Sequence, residues 1–292
     1  MILASGLTRR YGRFVAVDRL DLRVDEGEIF GFLGLNGAGK TTVLRMLCGL
    51  LRPTAGHAQI GDVTVRGPQD TAKLIPLVSF VSQEMRFYEQ ATLRSLLAVY
   101  ATLAEASTER GLGFARRAGV PLDRPCGRLS PGQQRKAQLA IALLKQPRYL
   151  LLDEPTAGLD PQGVREVREL VRELRACGAT VVLSSHVMGE VQAVCTSVGI
   201  LHHGRLRYQG RVEERYVIGL RGDVRLAAAA LADRGLSASP VEGQGVQVVA
   251  PRRELPAIAW SLRECGFEVG LIERVDLEEV FTRVVGGQEE AA

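Results

Sequence analysis

The sequence predicts an α/β fold, with a large domain built around a phosphate-binding loop and a smaller α/β domain after it. Three observations carry that expectation. Gly34-Leu35-Asn36-Gly37-Ala38-Gly39-Lys40-Thr41-Thr42 fits the pattern G-x-x-x-x-G-K-[ST], after a short apolar run and before helically spaced Val43, Met46, Leu47 and Leu50. Tyr149-Leu150-Leu151-Leu152-Asp153-Glu154 reads as a buried parallel strand that delivers two carboxylates at its carboxyl end, the edge where open α/β sheets bind ligands. The composition shifts near residue 215, and residues 215–292 then alternate strand-like and helix-like runs. The expected division is 1–214 and 215–292, with a helical portion of the first domain at 85–147.

The whole chain narrows the function classes. Its 292 residues suit one large domain and one small one, and 46% apolar with 24% charged residues is a globular balance. No apolar run approaches the roughly 18 residues of a membrane span, and the first residues do not read as a signal peptide. Five scattered cysteines (Cys48, Cys126, Cys177, Cys195, Cys265) without a C-x-x-C pair suggest reduced cytosolic thiols, not a disulfide or zinc framework. The net charge of +4 is mild and the arginine pairs are isolated, so no nucleic-acid partner is expected.

Taken in order, Leu20, Leu22 and Val24 alternate with Asp21, Arg23 and Asp25, the period of a half-buried antiparallel strand. Tyr11, in the turn before it, can stack on a nucleotide base, a contact worth about 1–3 kcal/mol in other binders, or serve as an ordinary turn tyrosine. Glu28–Leu33 is the strand that enters the phosphate loop. There the glycines allow a sharp turn, freed N–H groups meet an anion, Lys40 adds a compact charge and the Thr41 hydroxyl can hold a cation. Only four of the 37 basic residues are lysines, so Lys40 is not the chain's default cation. Residues 58–66 and 77–82 read as strands. The second leads to Gln83, which is either a surface loop residue or a side chain able to reach a metal.

Residues 91–118 look helical, with Leu93, Leu96, Leu97, Tyr100 and Leu103 on one face. Ser130-Pro131-Gly132-Gln133-Gln134 opens another helix. Serine as cap and proline in the first turn are ordinary helix-start chemistry, and the same free N–H groups can instead form a second phosphate site. Asp153 suits magnesium, and Glu154 is placed to orient or deprotonate a water. Residues 162–177 form an amphipathic helix stopped by Gly178, and Thr180–Ser185 is a buried strand that ends in His186. Residues 198–209 read as a hairpin. In the tail the expected order is strand 216–220, helix 224–234, strand 246–250, helix 253–265, strand 267–273 and helix 276–285.

The ordered set resembles the ATP-binding subunits of ABC transporters. Residues 34–42 resemble a Walker A motif, Gln83 a Q-loop, Leu129–Gln133 the signature motif, Leu150–Glu154 a Walker B strand with its catalytic glutamate, Ala157–Asp160 a D-loop, and His186 the switch histidine. The likeness covers about residues 2–212. The tail, including Asp276-Leu277-Glu278-Glu279-Val280-Phe281, resembles the accessory domain of type-2 exporter ATPases. One departure stands out: the family has glycine where this chain has Pro131, which removes a backbone N–H from the signature loop.

The resemblance implies an ABC-type nucleotide fold with a mixed sheet, an antiparallel β subdomain and a helical subdomain. It implies ATP and Mg²⁺ as cofactors. Tyr11, Gly34, Leu35, Asn36, Gly37, Ala38, Gly39, Lys40, Thr41, Thr42, Gln83 and Asp153 would bind the nucleotide of their own subunit. Ser130, Gly132 and Gln133 would bind that of a second ATP-binding subunit, in a head-to-tail homodimer. Thr41, Gln83 and Asp153 would hold the metal, and Glu154 and His186 would act on the attacking water. A separate membrane permease would be the driven partner, with this chain peripheral on the cytoplasmic face. A regulatory binding module with weak turnover is the alternative that Pro131 raises. A translation or DNA-repair ATPase fits less well, since the chain holds one cassette and no sustained heptads.

Overall fold

The computed structural model describes residues 1–84, 86–275 and 277–286. The chain separates into two compact units, Met1–Gly210 and Arg211–Ala292.

In the first unit β1 (Ile2–Tyr11) and β2 (Phe14–Val24) form a hairpin, and β3 (Ile29–Leu33) runs through the loop into α1 (Lys40–Leu47). β4 (Ala55–Ile60), β5 (Val63–Val65) and α2 (Thr71–Leu74) lead to β6 (Val78–Val81). Three helices follow: α3 (Leu93–Leu103), α4 (Glu109–Arg117) and α5 (Pro131–Ala142). The chain then returns through β7 (Tyr149–Asp153), α6 (Pro161–Ala176), β8 (Thr180–Ser185), α7 (Met188–Val194), β9 (Ser197–His202) and β10 (Arg205–Arg211).

Two sheets result. One is antiparallel, in the order β2-β1-β4-β5; the other runs β10-β9-β3-β8-β7-β6, and its β9, β3, β8, β7 and β6 are parallel. The central strands β3, β7 and β8 are buried along their whole length, as their unbroken apolar runs require for a sheet covered on both faces. Phe30 and Phe32 of β3 pack edge to face, with ring centroids 5.0 Å apart, in a core shared with Val43, Leu44 and Leu47 of α1. Register then decides function. Leu33 pairs with Ser185, Asp153 with Ser184 and Val81 with Leu152, so the residues after four parallel strands emerge at one edge.

The expected helix over 91–118 is two helices. Glu105, at φ 49°, breaks the run between α3 and α4. The buried stripe of α3 is Leu93, Leu96, Leu97 and Ala101, while Tyr100 is 38% and Leu103 75% exposed. A stripe at 3.6 residues per turn drifts from strict three- and four-residue spacing, and Ala101 takes the place given to Tyr100. The strand expected over 58–66 is a hairpin, because Gly61 turns the chain at φ 57° between β4 and β5.

The second unit runs β11 (Arg215–Arg221), α8 (Val224–Ala232), β12 (Ser237–Val241), β13 (Gly245–Val249), α9 (Leu255–Glu264), β14 (Glu268–Arg274) and α10 (Leu277–Gly286). The sheet order is β12-β13-β11-β14 with antiparallel pairings, the split β-α-β-β-α-β arrangement of ferredoxin-like folds. Ile218, Val246 and Val248 of the sheet pack against Leu231 of α8 and Ile258 and Leu262 of α9. The sequence reading lacks β12. That strand is an exposed edge carrying Pro240, and the strand signal is weakest in such a segment. Asp276, where the last helix was expected to begin, lies outside the described residues.

Candidate active site

The phosphate loop leaves the carboxyl end of β3 under tight steric constraint. A Cβ on Gly34 would sit 2.4 Å from the Leu201 carbonyl oxygen, and one on Gly39 would sit 2.6 Å from that of Ala16. Gly39 also holds φ 106°, which only glycine adopts without strain. Gly39 caps α1 with no side-chain hydrogen bond, so the first-turn N–H groups are left for an anion. Lys40 is 6% exposed. Its Nζ donates to the carbonyls of Gly34 (2.6 Å) and Leu35 (3.3 Å) and lies 3.4 Å from Glu154 Oε1.

Asp153 ends β7 fully buried and has a partner for each oxygen. Thr41 Oγ1 donates to Oδ2 at 2.8 Å, and Ser184 Oγ donates to Oδ1 at 2.7 Å. The same Ser184 hydroxyl accepts the Glu154 N–H at 2.9 Å. Glu154 sits in the left-handed region at φ 49°, a conformation that persists in a non-glycine residue only where the surroundings enforce it. Its Oε2 lies 2.9 Å from His186 Nδ1, while Oε1 is buried with no hydrogen-bond partner among the described residues. His186 is half exposed, so its ring joins a buried carboxylate to the open edge.

Much of the anchoring comes from Arg135 on α5. Its Nη2 donates to the carbonyls of Asp153 and Glu154 (2.8 Å to the latter), and its Nε donates to Pro155 O at 3.3 Å. Nη1 donates to Ser82 O at 2.9 Å and to Gln138 Oε1 at 2.8 Å. Burial pushes the guanidinium down to about 10, opposed by the Asp153 and Glu154 charges, so it stays charged at neutral pH.

A cleft of about 450 Å³ gathers Tyr11, residues 35–42, Gln83 and Glu154. Gly34 lies at the root of the loop, Asp153 reaches the cleft through Thr41, and His186 reaches it through Glu154. Phe14, absent from the sequence reading, lines the same cleft. It pairs with Tyr11 across the hairpin, and Arg9 stacks on the Tyr11 ring 4.5 Å from its centroid.

Ser130, Gly132 and Gln133 do not line this cleft. They form the start of α5, where Ser130 Oγ accepts the Gln133 N–H at 3.2 Å and Gln133 Oε1 accepts the Ser130 N–H at 3.1 Å, a closed capping box. Pro131 occupies the first helical position, where an N–H has no intrahelical partner to lose. Asp160 caps α6 by accepting the Gly163 N–H at 2.7 Å. Sequence reasoning also missed Arg135, Ser184 and Glu190. The last accepts from Thr156 Oγ1 and, at 3.3 Å, from Ser185 Oγ, tying the turn after β7 to the turn after β8.

A family model described as ABC transporter matches residues 17–157. The chain is 33% identical to the Nod factor export ATP-binding protein I of Ralstonia nicotianae, an alignment that covers 98% of this chain and 94% of that protein. The chain belongs to the ABC transporter ATP-binding family. It is likewise 33% identical to the daunorubicin resistance ATP-binding protein DrrA3 of Streptomyces coeruleorubidus, over 98% of this chain and 96% of that one. To the bacitracin transport ATP-binding protein BcrA of Bacillus licheniformis it is 35% identical over 70% of this chain and 68% of that one. A solved ATP-binding subunit of an ABC transporter superposes with a TM-score of 0.64 at 26% identity, covering 72% of this chain and 90% of that one. A dimeric ATP-binding cassette in a post-hydrolysis state, bound to ADP and Pi, superposes at 0.66 with 22% identity over 76% of this chain and 100% of that one, a likeness of fold. The first unit is an ABC ATPase cassette: a nucleotide-binding ATPase with a mixed sheet, an antiparallel subdomain and helices. Among the described residues no helix is long and apolar enough to cross a membrane.

Proposed function

We propose that this chain is the ATP-hydrolysing motor subunit of an ABC exporter, pairing with a second ATP-binding subunit and driving a separate membrane permease from the cytoplasmic face. The observation that carries the reading is the placement of Glu154: its carboxylate lies 2.9 Å from His186 and 3.4 Å from Lys40 at the mouth of the phosphate loop. A buried carboxylate oxygen without a hydrogen bond among the described residues, beside a phosphate cradle, is where a water can be held and deprotonated. Lys40 would leave its loop carbonyls for the outer phosphates, His186 would orient Glu154 and reach the terminal phosphate, and Tyr11 would stack on the base. Export is favoured because relatives matched over nearly the whole chain are named for export or drug resistance. Residues 215–292 would be an accessory domain of the motor subunit.

The residues fit a magnesium ion. Thr41, Asp153 and Gln83 offer hydroxyl, carboxylate and amide oxygens, the donors of a hard cation that also binds phosphates. Bound there, it would neutralise charge on the outer phosphates. Ser184 fixes one Asp153 oxygen and Thr41 meets the other, so the carboxylate is already aimed. Ser130, Gly132 and Gln133, which do not line their own chain's cleft, would meet the nucleotide of the partner subunit.

Glu154→Gln keeps the volume and removes the base. Steady-state hydrolysis should fall by about 10²–10⁴ while the ATP dissociation constant stays within about threefold, a difference under 1 kcal/mol. Turnover at the wild-type rate would remove Glu154 from its role.

A further inference from the structure

The Glu154 turn is held by a guanidinium whose hydrogen bonds go to its backbone carbonyls and not to its carboxylates. Arg135 is 6% exposed, yet its guanidinium donates to the carbonyls of Asp153, Glu154 and Pro155, three successive residues that form the turn after β7. Three carbonyls drawn toward one planar fork curl the backbone around it. Glu154 is the residue in that curl at φ 49°. Such a conformation is strained for an ordinary residue and needs outside support. Arg135 supplies it through the backbone carbonyls, while Lys40 and His186 meet the side-chain carboxylate.

The same guanidinium reaches two further segments. Nη1 donates to Ser82 O, the carbonyl just before Gln83, and to Gln138 one turn along α5. Arg135 stands five residues after Ser130, within the helix that Ser130 caps. One rigid side chain therefore ties the α5 start, the approach to Gln83 and the Glu154 turn together. A second cleft, of about 540 Å³, is lined by Arg135 together with Pro131, Gln83 and Glu154. A planar fork is needed here, since a lysine ammonium cannot span three carbonyls and Ser82 at once.

We infer that Arg135 is a positioning residue for hydrolysis: it sets the Glu154 turn and Gln83 relative to α5, so that displacement of the Ser130 end of the helix is felt at the water-activating carboxylate. The inference rests on the role proposed for Glu154. It predicts that losing the fork slows chemistry without weakening nucleotide binding, because Lys40 and the phosphate loop make no contact with Arg135 among the hydrogen bonds described.

The test is Arg135→Lys, which keeps the charge and most of the volume. kcat, KM, ATP affinity and melting temperature are measured on the purified chain beside wild type. The expected result is an unchanged affinity for ATP, a folded chain and kcat lower by about 10–100-fold, the loss typical of a reacting group displaced by an ångström. A kcat within twofold of wild type, or a fall in kcat matched by an equal loss of affinity, overturns the proposal. If Arg135→Lys does not fold, Arg135→Gln, which fills part of the space and loses the fork, is read the same way; an unchanged kcat again overturns it. A wild-type chain that hydrolyses ATP while Glu154→Gln does so equally well removes the Glu154 role itself. Glu154→Gln inactive beside a fully active Arg135→Lys removes only the role of Arg135.

Discussion

Ser184→Ala takes one oxygen out of the middle of the site. That hydroxyl donates to Asp153 Oδ1 at 2.7 Å and accepts the Glu154 N–H at 2.9 Å, with Ser184 fully buried. Losing the bond to a carboxylate costs about 1.5–3 kcal/mol, and leaving a buried N–H unpaired costs about 1–3 kcal/mol. The two are coupled through one atom, so a total of about 3 kcal/mol is the working figure. For a unit of this size, at about 2–4 °C per kcal/mol, the melting temperature should fall by about 6–12 °C. The second readout is functional. With Ser184 gone, the Asp153 carboxylate loses the partner that fixes its rotation, and a supporting contact of this kind is worth about 10–100-fold in metal affinity. Thermal unfolding without nucleotide, followed by magnesium titration of nucleotide binding, reads both effects. A shift under about 2 °C, on the scale just used, with an unchanged magnesium midpoint, would refute the reasoning.

Two further expectations follow from other parts of the first unit. The Glu26 carboxylate is held down to about 2 by the Arg148 guanidinium first, then by the Met1 amine and the Tyr149 hydroxyl. Its folded value lies below its ordinary one, so its contribution is present above about pH 4.5 and is lost as pH falls toward about 2. The difference in melting temperature between wild type and Glu26→Gln should shrink across that window, and a constant difference would contradict the assignment. Ser130→Ala opens the capping box and should destabilise α5 by about 1 kcal/mol. If Ser130 also serves the partner's nucleotide, turnover will fall while the affinity of the single chain for ATP holds; equal activity by a coupled phosphate-release assay would confine Ser130 to its cap.

The backbone of the site was legible because its signals are local. A glycine pattern between an apolar run and a helical period, or an apolar run ending in Asp153 and Glu154, needs no tertiary knowledge, and the parallel sheet then brings both ends to one edge. Arg135 and Ser184 were not legible for the opposite reason. Arg135 looks like any polar residue of a helix, since its acceptors are carbonyls far along the chain, at the end of β7, in the turn after it and after β6. Ser184 looks like an ordinary strand residue until register sets it against Asp153. The single helix expected over 91–118 failed at Glu105, whose left-handed backbone ends the run, and Ser107 then accepts the Glu109 N–H at the start of a second helix. In the second unit the alternation of strands and helices was clear except at β12, an edge strand whose Pro240 and exposed serines carry little strand signal. Pro131 departs from the family pattern, yet it fits the helix start without disturbing the Ser130–Gln133 box.

The most direct measurement is the solution mass of the Glu154→Gln chain with and without ATP, by sedimentation at fixed protein concentration. ATP should convert a monomer to a dimer, Ser130→Ala should weaken that dimer, and Lys40→Ala should abolish it. A Glu154→Gln chain that binds ATP and remains monomeric, or one that dimerises equally without nucleotide, would contradict a site completed by two subunits.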